Sequence, residues 1–388
     1  MGINMKNIYV TVLVSFFFLL THAQKPVLNV GVFAPLYLDS AFNGDAYRYK
    51  KNFPKFVLPG LEFMQGAEIA LDSLNIPGKK IKTYFFDTRS EKESIADLIR
   101  NKKIDELDLI IGSVKDMDFQ ELAAFSLEKN IPFISATYPN DGGVSGNPFL
   151  VIMNSTLRAH CEAIHTYLLQ SHSADNLILV RKPGVQEDRV IDYFRSANMP
   201  DGKPLLNLQV VNIKNDDISA LEEYLDSTKN NIVISGSLEE QFSRSLIETS
   251  ASLNSTYYIK LIGMPNWDNF TLSSKNKNPE FPVYFTTPYF NIENNNYTRT
   301  IRDNYLKKYK GNPTDNAYKG FETVMLFTSL LASHPDDFMS HINSTDKKIF
   351  SDFNFKPVFI RGTNTPDYFE NKHLYFIRAQ NRVASKAW

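Results

Sequence analysis

Short apolar runs and longer amphipathic stretches alternate along most of this chain. Leu28 to Leu36 (LNVGVFAPL), Ile81 to Asp87, Leu107 to Gly112 (LDLIIG) and Ile131 to Thr137 (IPFISAT) read as strands. They are nearly continuous in apolar residues, as strands covered on both faces are. Between them, Leu61 to Leu74 carries Met64, Ala67, Leu71 and Leu74 on one helical face. Glu91 to Arg100 and Asp118 to Lys129 also read as helices. A βαβα order of this kind predicts a parallel sheet with helices on both sides.

The pattern restarts after Phe149 to Met153, which is expected to cross to a second unit. Leu157 to Leu169 predicts a helix, and Leu177 to Val180, Leu205 to Ile213, Ile232 to Ser235 and Tyr257 to Ile262 predict strands. A late return follows, with a strand at Val283 to Thr287 and helices at Tyr297 to Tyr309 and Ala317 to Leu331. The FIRG and LYFIRA runs between Phe353 and Trp388 predict edge strands. Two α/β lobes are therefore expected, residues 27–150 with 285–335 and residues 151–284 with 345–388, with 27–150 and 285–335 sharing one sheet.

The first residues predict export. Lys6 precedes an apolar run from Ile8 to Leu20, and Thr21-His22-Ala23 offers small residues for cleavage, with 1–23 as the signal peptide and Gln24 as the mature start. The run is short for a membrane span, which needs roughly 20 residues. A single cysteine, Cys161, allows no internal disulfide, so a secreted chain must be held by its core. A formal net charge of −1 leaves no basic excess for nucleic acid or anionic lipid. No membrane insertion is expected after cleavage.

Candidate chemistry is sparse. Asp118, followed three residues later by Glu121, fits a capping box better than a paired-carboxylate site with Asp116. Cys161 and His165 share a helical face, but no second ligand pair has zinc-like spacing, so no metal is expected. The Gly142 to Gly146 loop lacks both the nucleophile-elbow spacing and a closing Gly-Lys-Ser/Thr. No catalytic residues, cofactor or enzyme activity are expected. Trp267 could stack on a ligand or pack beneath a hinge. Tyr37, Tyr47 and Tyr49 could line a cleft mouth or cover the first lobe.

Several segments carry a resemblance. VGVFAPLYLDS, GLEFMQGAEIAL, LIIGS and IPFISAT are similar in order and spacing to the opening of the type I periplasmic-binding, leucine-binding-like family. Tyr305 to Glu322 (YLKKYKGNPTDNAYKGFE) resembles the family's Y-x-x-x-Y-x-G-x-x-P-x-x-x-A-x-x-G-Y-D signature, with Phe321 and Glu322 replacing Tyr and Asp. The Tyr-rich stretch between Leu36 and Gly60 looks like a branch often found with LysM repeats, and no such repeat is present. The resemblance implies two doubly wound parallel-sheet lobes joined by a multi-strand hinge. It implies a periplasmic protein that captures a small ligand, such as an amino acid, peptide or related metabolite, in the interlobe cleft. The partner implied is an ABC-type membrane transporter, or the protein acts as a sensor. A ligand-less adaptor binding an envelope protein or the cell wall is the alternative.

Carried over by position, the first-lobe contacts implied are Tyr37, Ser113, Lys115, Asp116, Ser135, Ala136 and Thr137. The family's hydroxyl-rich second turn here reads Ser113-Val114-Lys115-Asp116-Met117-Asp118. The second-lobe loops are Lys182 to Asp188, Ser235 to Glu239 and Gly263 to Trp267, with Gly184, Ser237, Met264 and Trp267 as contacts. The aromatic often found in the first of these loops is missing from KPGVQED. Backbone N–H groups at the following helix starts are expected to face the ligand.

Overall fold

The run VLNVGVFA forms β1 (Val27–Ala34), whose apolar side chains are buried on both faces of a seven-stranded sheet. A computed structural model describes residues 27–50, 53–213, 217–290, 295–344, 348–360 and 362–388. The expected signal peptide and mature start lie outside the described residues. After β1 come a four-residue turn α1 (Leu38–Ala41), a small hairpin β2 (Phe42–Asn43) and β3 (Ala46–Tyr47), and helix α2 (Leu58–Ser73). Then β4 (Lys80–Asp87), α3 (Ile95–Arg100), β5 (Leu109–Gly112), α4 (Asp116–Lys129), β6 (Phe133–Ser135) and β7 (Leu150–Ile152) complete the first pass. β4 and β5 flank β1 in parallel, and β6 and β7 extend the sheet beyond β5.

The chain then enters a second seven-stranded sheet through α5 (Leu157–Ser171). There β8 (Asn176–Arg181), α6 (Val185–Asn198), β9 (Leu208–Asn212), β10 (Asn231–Ser235), α7 (Glu240–Tyr257), β11 (Ile259–Ile262), the turn α8 (Asp268–Thr271) and β12 (Val283–Thr287) follow. α9 (Asn296–Tyr309) and α10 (Asp315–Ser333) return to pack on the first sheet. β13 (Phe355–Val358) and β14 (Tyr368–Asn371) join that sheet beside β7, while β15 (Tyr375–Gln380) and β16 (Val383–Lys386) add antiparallel to β12. Three segments therefore connect the sheets, after β7, after β12 and between β14 and β15.

Two strand placements differ from the sequence expectation. Val283 to Thr287 does not share the first sheet, because Val283 and Tyr284 pair with Leu261 and Ile262 and Phe285 fills the second core. The segment from Phe353 also divides: β13 and β14 belong to the first sheet, where Phe355 and Tyr368 are buried. Only β15 and β16 reach the second sheet, and Phe359 and Ile360 of the FIRG run are exposed outside any strand. Apolar alternation shows that a strand is covered; it carries no information about which of two similar sheets supplies its neighbour.

The helices of the first lobe cover both faces of its sheet. One face packs Phe63, Ala67, Phe321 and Phe327 of α2 and α10, the other Leu98, Phe119, Leu122 and Phe125 of α3 and α4. α2 and α10 approach so closely that Gly66 lies against the Ala317 carbonyl and Gly320 against the Phe63 carbonyl. A Cβ at either position would overlap backbone. Gly66→Ala and Gly320→Ala are each expected to destabilise by about 1–3 kcal/mol through overpacking, although alanine is the better helix former by about 1 kcal/mol. Urea unfolding checks this, and an unchanged or raised midpoint would show that the helices can part freely. The sequence predicts Asp118 as the cap of α4, but Lys115 is the N-cap, and Asp118 sits in the first turn paired with Arg89 at 3.0 Å.

Candidate functional site

The carboxyl ends of β5 and β6 bring Ser113, Ser135, Ala136 and Thr137 together. Ser113 Oγ and Thr137 Oγ1 are 3.0 Å apart and hydrogen-bond to each other. The Ser113 N–H donates to the Phe33 carbonyl and the Ala136 N–H to the Gly112 carbonyl, prolonging the sheet by one residue on each strand. These N–H groups therefore do not face the cleft unpaired. The Ala136 carbonyl accepts from the Tyr289 hydroxyl, and the Thr137 carbonyl accepts from the Asn154 amide at 2.7 Å. Ser135 is fully buried, its Oγ without a hydrogen-bond partner among the described residues. Lys115 and Asp116 are exposed, 3.9 Å apart, and the Tyr138 hydroxyl donates to Asp116.

Tyr37 belongs to the first lobe's aromatic cover rather than to this cluster. Its ring meets Phe56 edge-on at 4.9 Å, and its N–H donates to Asp87, which also accepts from the N–H groups of Leu36 and Leu38. In the second lobe, Gly184 precedes α6, and Ser237 is buried with its hydroxyl donating to Glu187 at 2.6 Å. Met264 and Trp267 are fully buried in the second core, so Trp267 offers no face to a ligand. Cys161 and His165 are also core residues. Burial pushes the Cys161 thiol far up, and His165 bonds Asn198 at 3.1 Å.

The interlobe cleft is lined by the neighbours of these residues. A cavity of about 540 Å³ lies between Asn140, Asp141 and Lys319 on the first-lobe side and Gln186, Arg189, Leu238 and Asn266 on the second. Its floor is the connection Asn154 to Arg158. None of the eleven contacts carried over from the family lines it, although Gln186, Leu238 and Pro265 lie in the expected second-lobe loops. After β5 and β6 the Ser113 and Ala136 N–H groups still bond neighbouring strands, so these residues complete the sheet rather than open the cleft.

A second cavity, about 530 Å³, adjoins the first and shares Asp268, Thr287, Tyr289 and Lys319 with it. Tyr289 and Lys319 form the partition, with Lys319 Nζ 4.8 Å from the centre of the Tyr289 ring. Burial holds the Lys319 ammonium below the ordinary amine range, partly opposed by Asp315 and Asp268. Tyr289 leaves β12 and bonds the first-lobe Ala136 carbonyl, so it ties the two lobes directly. Burial also pushes its hydroxyl well above the usual tyrosine range. Lys319 lies inside the YKGFE segment, whose Glu322 is buried and accepts from the N–H groups of Phe350 and Ser351. Sequence singled out that segment for resemblance but held no signal for the cleft role of Lys319.

The lobe connections are clamped where they meet the cleft. Buried Glu370 of β14 accepts the Thr156 N–H at 2.7 Å and pairs with Lys372 at 2.7 Å. Lys372 reaches Glu162 of α5 at 3.0 Å, and the Ser155 hydroxyl donates to the Asn371 carbonyl. His160 of α5 bonds the Thr286 hydroxyl of β12 at 2.7 Å. Two parallel-sheet lobes, three connections and a polar cleft between them define a two-lobed α/β binding protein. The chain belongs to the periplasmic binding protein family, whose model matches residues 58–380.

Solved structures of the same fold are distant in sequence. A provisionally assigned branched-chain amino acid ABC transporter protein from Rhodospirillum rubrum is 12% identical, with 93% of this chain and 100% of that one covered and a TM-score of 0.67. A leucine-binding protein from Thermotoga maritima is 14% identical over 93% and 98%, with a TM-score of 0.55. A solute-binding protein from R. palustris in complex with benzoate is 14% identical over 93% and 95%, with a TM-score of 0.52. No curated protein matches the sequence. Among the described residues, no helix is long and apolar enough to cross a membrane.

Proposed function

We propose that this chain is an exported solute receptor that closes its lobes on a small ligand with an anionic end and performs no chemistry on it. The observation that carries this reading is the charge of the interlobe cavity. Its lining holds Arg158, Arg189 and Lys319 against two carboxylates, Asp141 and Asp268. Asp141 already accepts from the Gly143 N–H and the Tyr368 hydroxyl. His160 contributes no charge, because burial and then Lys372 hold it down to about 3. A volume of about 540 Å³ suits a small metabolite. Amino acids, short peptides and aromatic carboxylates are the ligand classes to test, since structural neighbours bind leucine and benzoate. Delivery to an ABC-type transporter, or sensing, in the periplasm follows from the family.

Isothermal titration against these classes tests the reading. Loss of a hydrogen bond to a charged group costs about 1.5–3 kcal/mol. Arg158→Ala and Arg189→Ala are therefore expected to weaken an anionic ligand by roughly ten- to a hundredfold each. An affinity indifferent to both, but lost with Thr137→Ala, would move the site to the first-lobe loops.

A ligand-less adaptor is the second reading, and one observation favours it. The Ser113–Thr137 pair and the Tyr289 hydroxyl satisfy groups that a ligand would otherwise engage. Envelope proteins or cell-wall fragments captured by protein whose cleft cations have been removed would support it, as would membership of the LysM-associated branch.

A further inference from the structure

The described residues contain one group of three side chains able to converge on a metal ion, and it lies far from the cleft. His334 caps the carboxyl end of α10, Asp337 follows three residues later, and His341 ends the next helical turn. His341 Nε2 is 2.8 Å from one Asp337 oxygen, and His334 Nδ1 is 3.5 Å from the other. The two imidazoles lie face to face with centroids 3.6 Å apart. One ligand atom from each of the three side chains lies within 4.8 Å of the others.

We propose that His334, Asp337 and His341 form a binding site for a zinc-class divalent cation. Two imidazoles and a carboxylate are the donors that borderline cations such as Zn²⁺ prefer. Tetrahedral zinc with bonds of about 2.0–2.1 Å needs its ligand atoms about 3.4 Å apart. Binding therefore requires the two rings to turn out of their present stack so that both nitrogens point at one ion. His341 Nδ1 lies 3.3 Å from Ser344 Oγ, so the ring nitrogen opposite the metal has an orienting partner. The frame is firm: Phe338 and Ile342 between and beside the ligands are buried in the first core, and Lys79 donates to the Ala332 carbonyl at 2.6 Å. Three protein ligands leave a fourth position for water or a donor from another molecule.

The site is separate from ligand capture. His334, the C-cap of α10, lies fifteen positions beyond Lys319 in the cleft, about 22 Å along the helix at 1.5 Å per residue. Metal binding can therefore be measured independently of any solute.

The test uses the mature chain stripped with a chelator and titrated with ZnCl₂ against a fluorescent zinc indicator. One equivalent of zinc is expected to bind tightly, with affinity falling at least tenfold in His334→Ala, His341→Ala and Asp337→Asn. X-ray absorption of the zinc-loaded wild-type protein should show two imidazoles and oxygen ligands, a readout that needs no variant to fold. No tight equivalent, equal uptake by the His334→Ala/His341→Ala double variant, or a spectrum without two imidazoles would each overturn the site.

Discussion

Replacing Trp267 by alanine is expected to cost about 3–5 kcal/mol of stability, as deletion of a large core side chain does. Trp267 is fully buried beside Phe270 and Met264 in the second-lobe core. Its indole occupies the space where a side chain on residue 263 would lie, and that residue is glycine. Its Nε1–H is buried without a hydrogen-bond partner among the described residues. Trp267→Phe should therefore retain much of the stability, because it leaves a smaller cavity and removes an unsatisfied donor. Denaturant midpoints measure both. The other tryptophan, Trp388, is half exposed, so loss of the blue-shifted emission component should report Trp267 alone. An unchanged midpoint together with lost ligand affinity would return Trp267 to the cleft.

Acid should loosen the second lobe through His160. Burial, reinforced by the positive charge of Lys372, lowers its pKa from 6.5 to about 3. The unfolded chain takes up this proton as pH falls through 6.5, and the folded chain resists until about 3. The stability from the neutral ring is thus complete above 6.5 and lost on acidification at about 1.4 kcal/mol per pH unit, reaching the order of 4 kcal/mol near pH 3.5. Glu322 works in the opposite sense. Burial raises its carboxyl to about 7, so its share is complete below the ordinary carboxylate value of 4.5 and shrinks as pH rises through 7. Comparing wild type with His160→Gln separates the two, because Gln keeps a partner for Thr286 and does not titrate. The stability difference between them should narrow by several kcal/mol from pH 7 to pH 4. A difference that stays constant with pH would show that His160 is not the titrating group.

Local pattern carried the element types because it depends only on which faces are covered. The apolar runs of β1, β5, β6, β8 and β10 are continuous, as in strands buried on both sides, and too short for buried helices. The YKGNPTDNAYKGFE segment likewise led to α10, where Gly320 proves to be a packing glycine against α2 and Glu322 a buried acceptor for the Phe350 and Ser351 N–H groups. Loop positions were legible for the same reason, since a loop follows wherever an apolar run stops.

Long-range pairing was not legible. β14 lies beside β7 through Phe369 opposite Val151, and β12 beside β15, contacts across scores to hundreds of residues that leave no local trace. The cleft depends on a finer quantity still, the residue at which each strand ends. Ser113 and Ala136 were expected to point N–H groups at a ligand, but those groups complete the sheet, and Tyr289 arrives from the other lobe to take the Ala136 carbonyl. Sequence alone determined an exported-looking α/β chain of one recognisable family with its turns in place. Tertiary structure decided which sheet owns each late strand, which charges line the cleft, and that His334, Asp337 and His341 meet. Burial of an apolar residue is favourable against any apolar neighbour, whereas hydrogen-bond partners and charge neighbours are settled only once the chain has closed on itself.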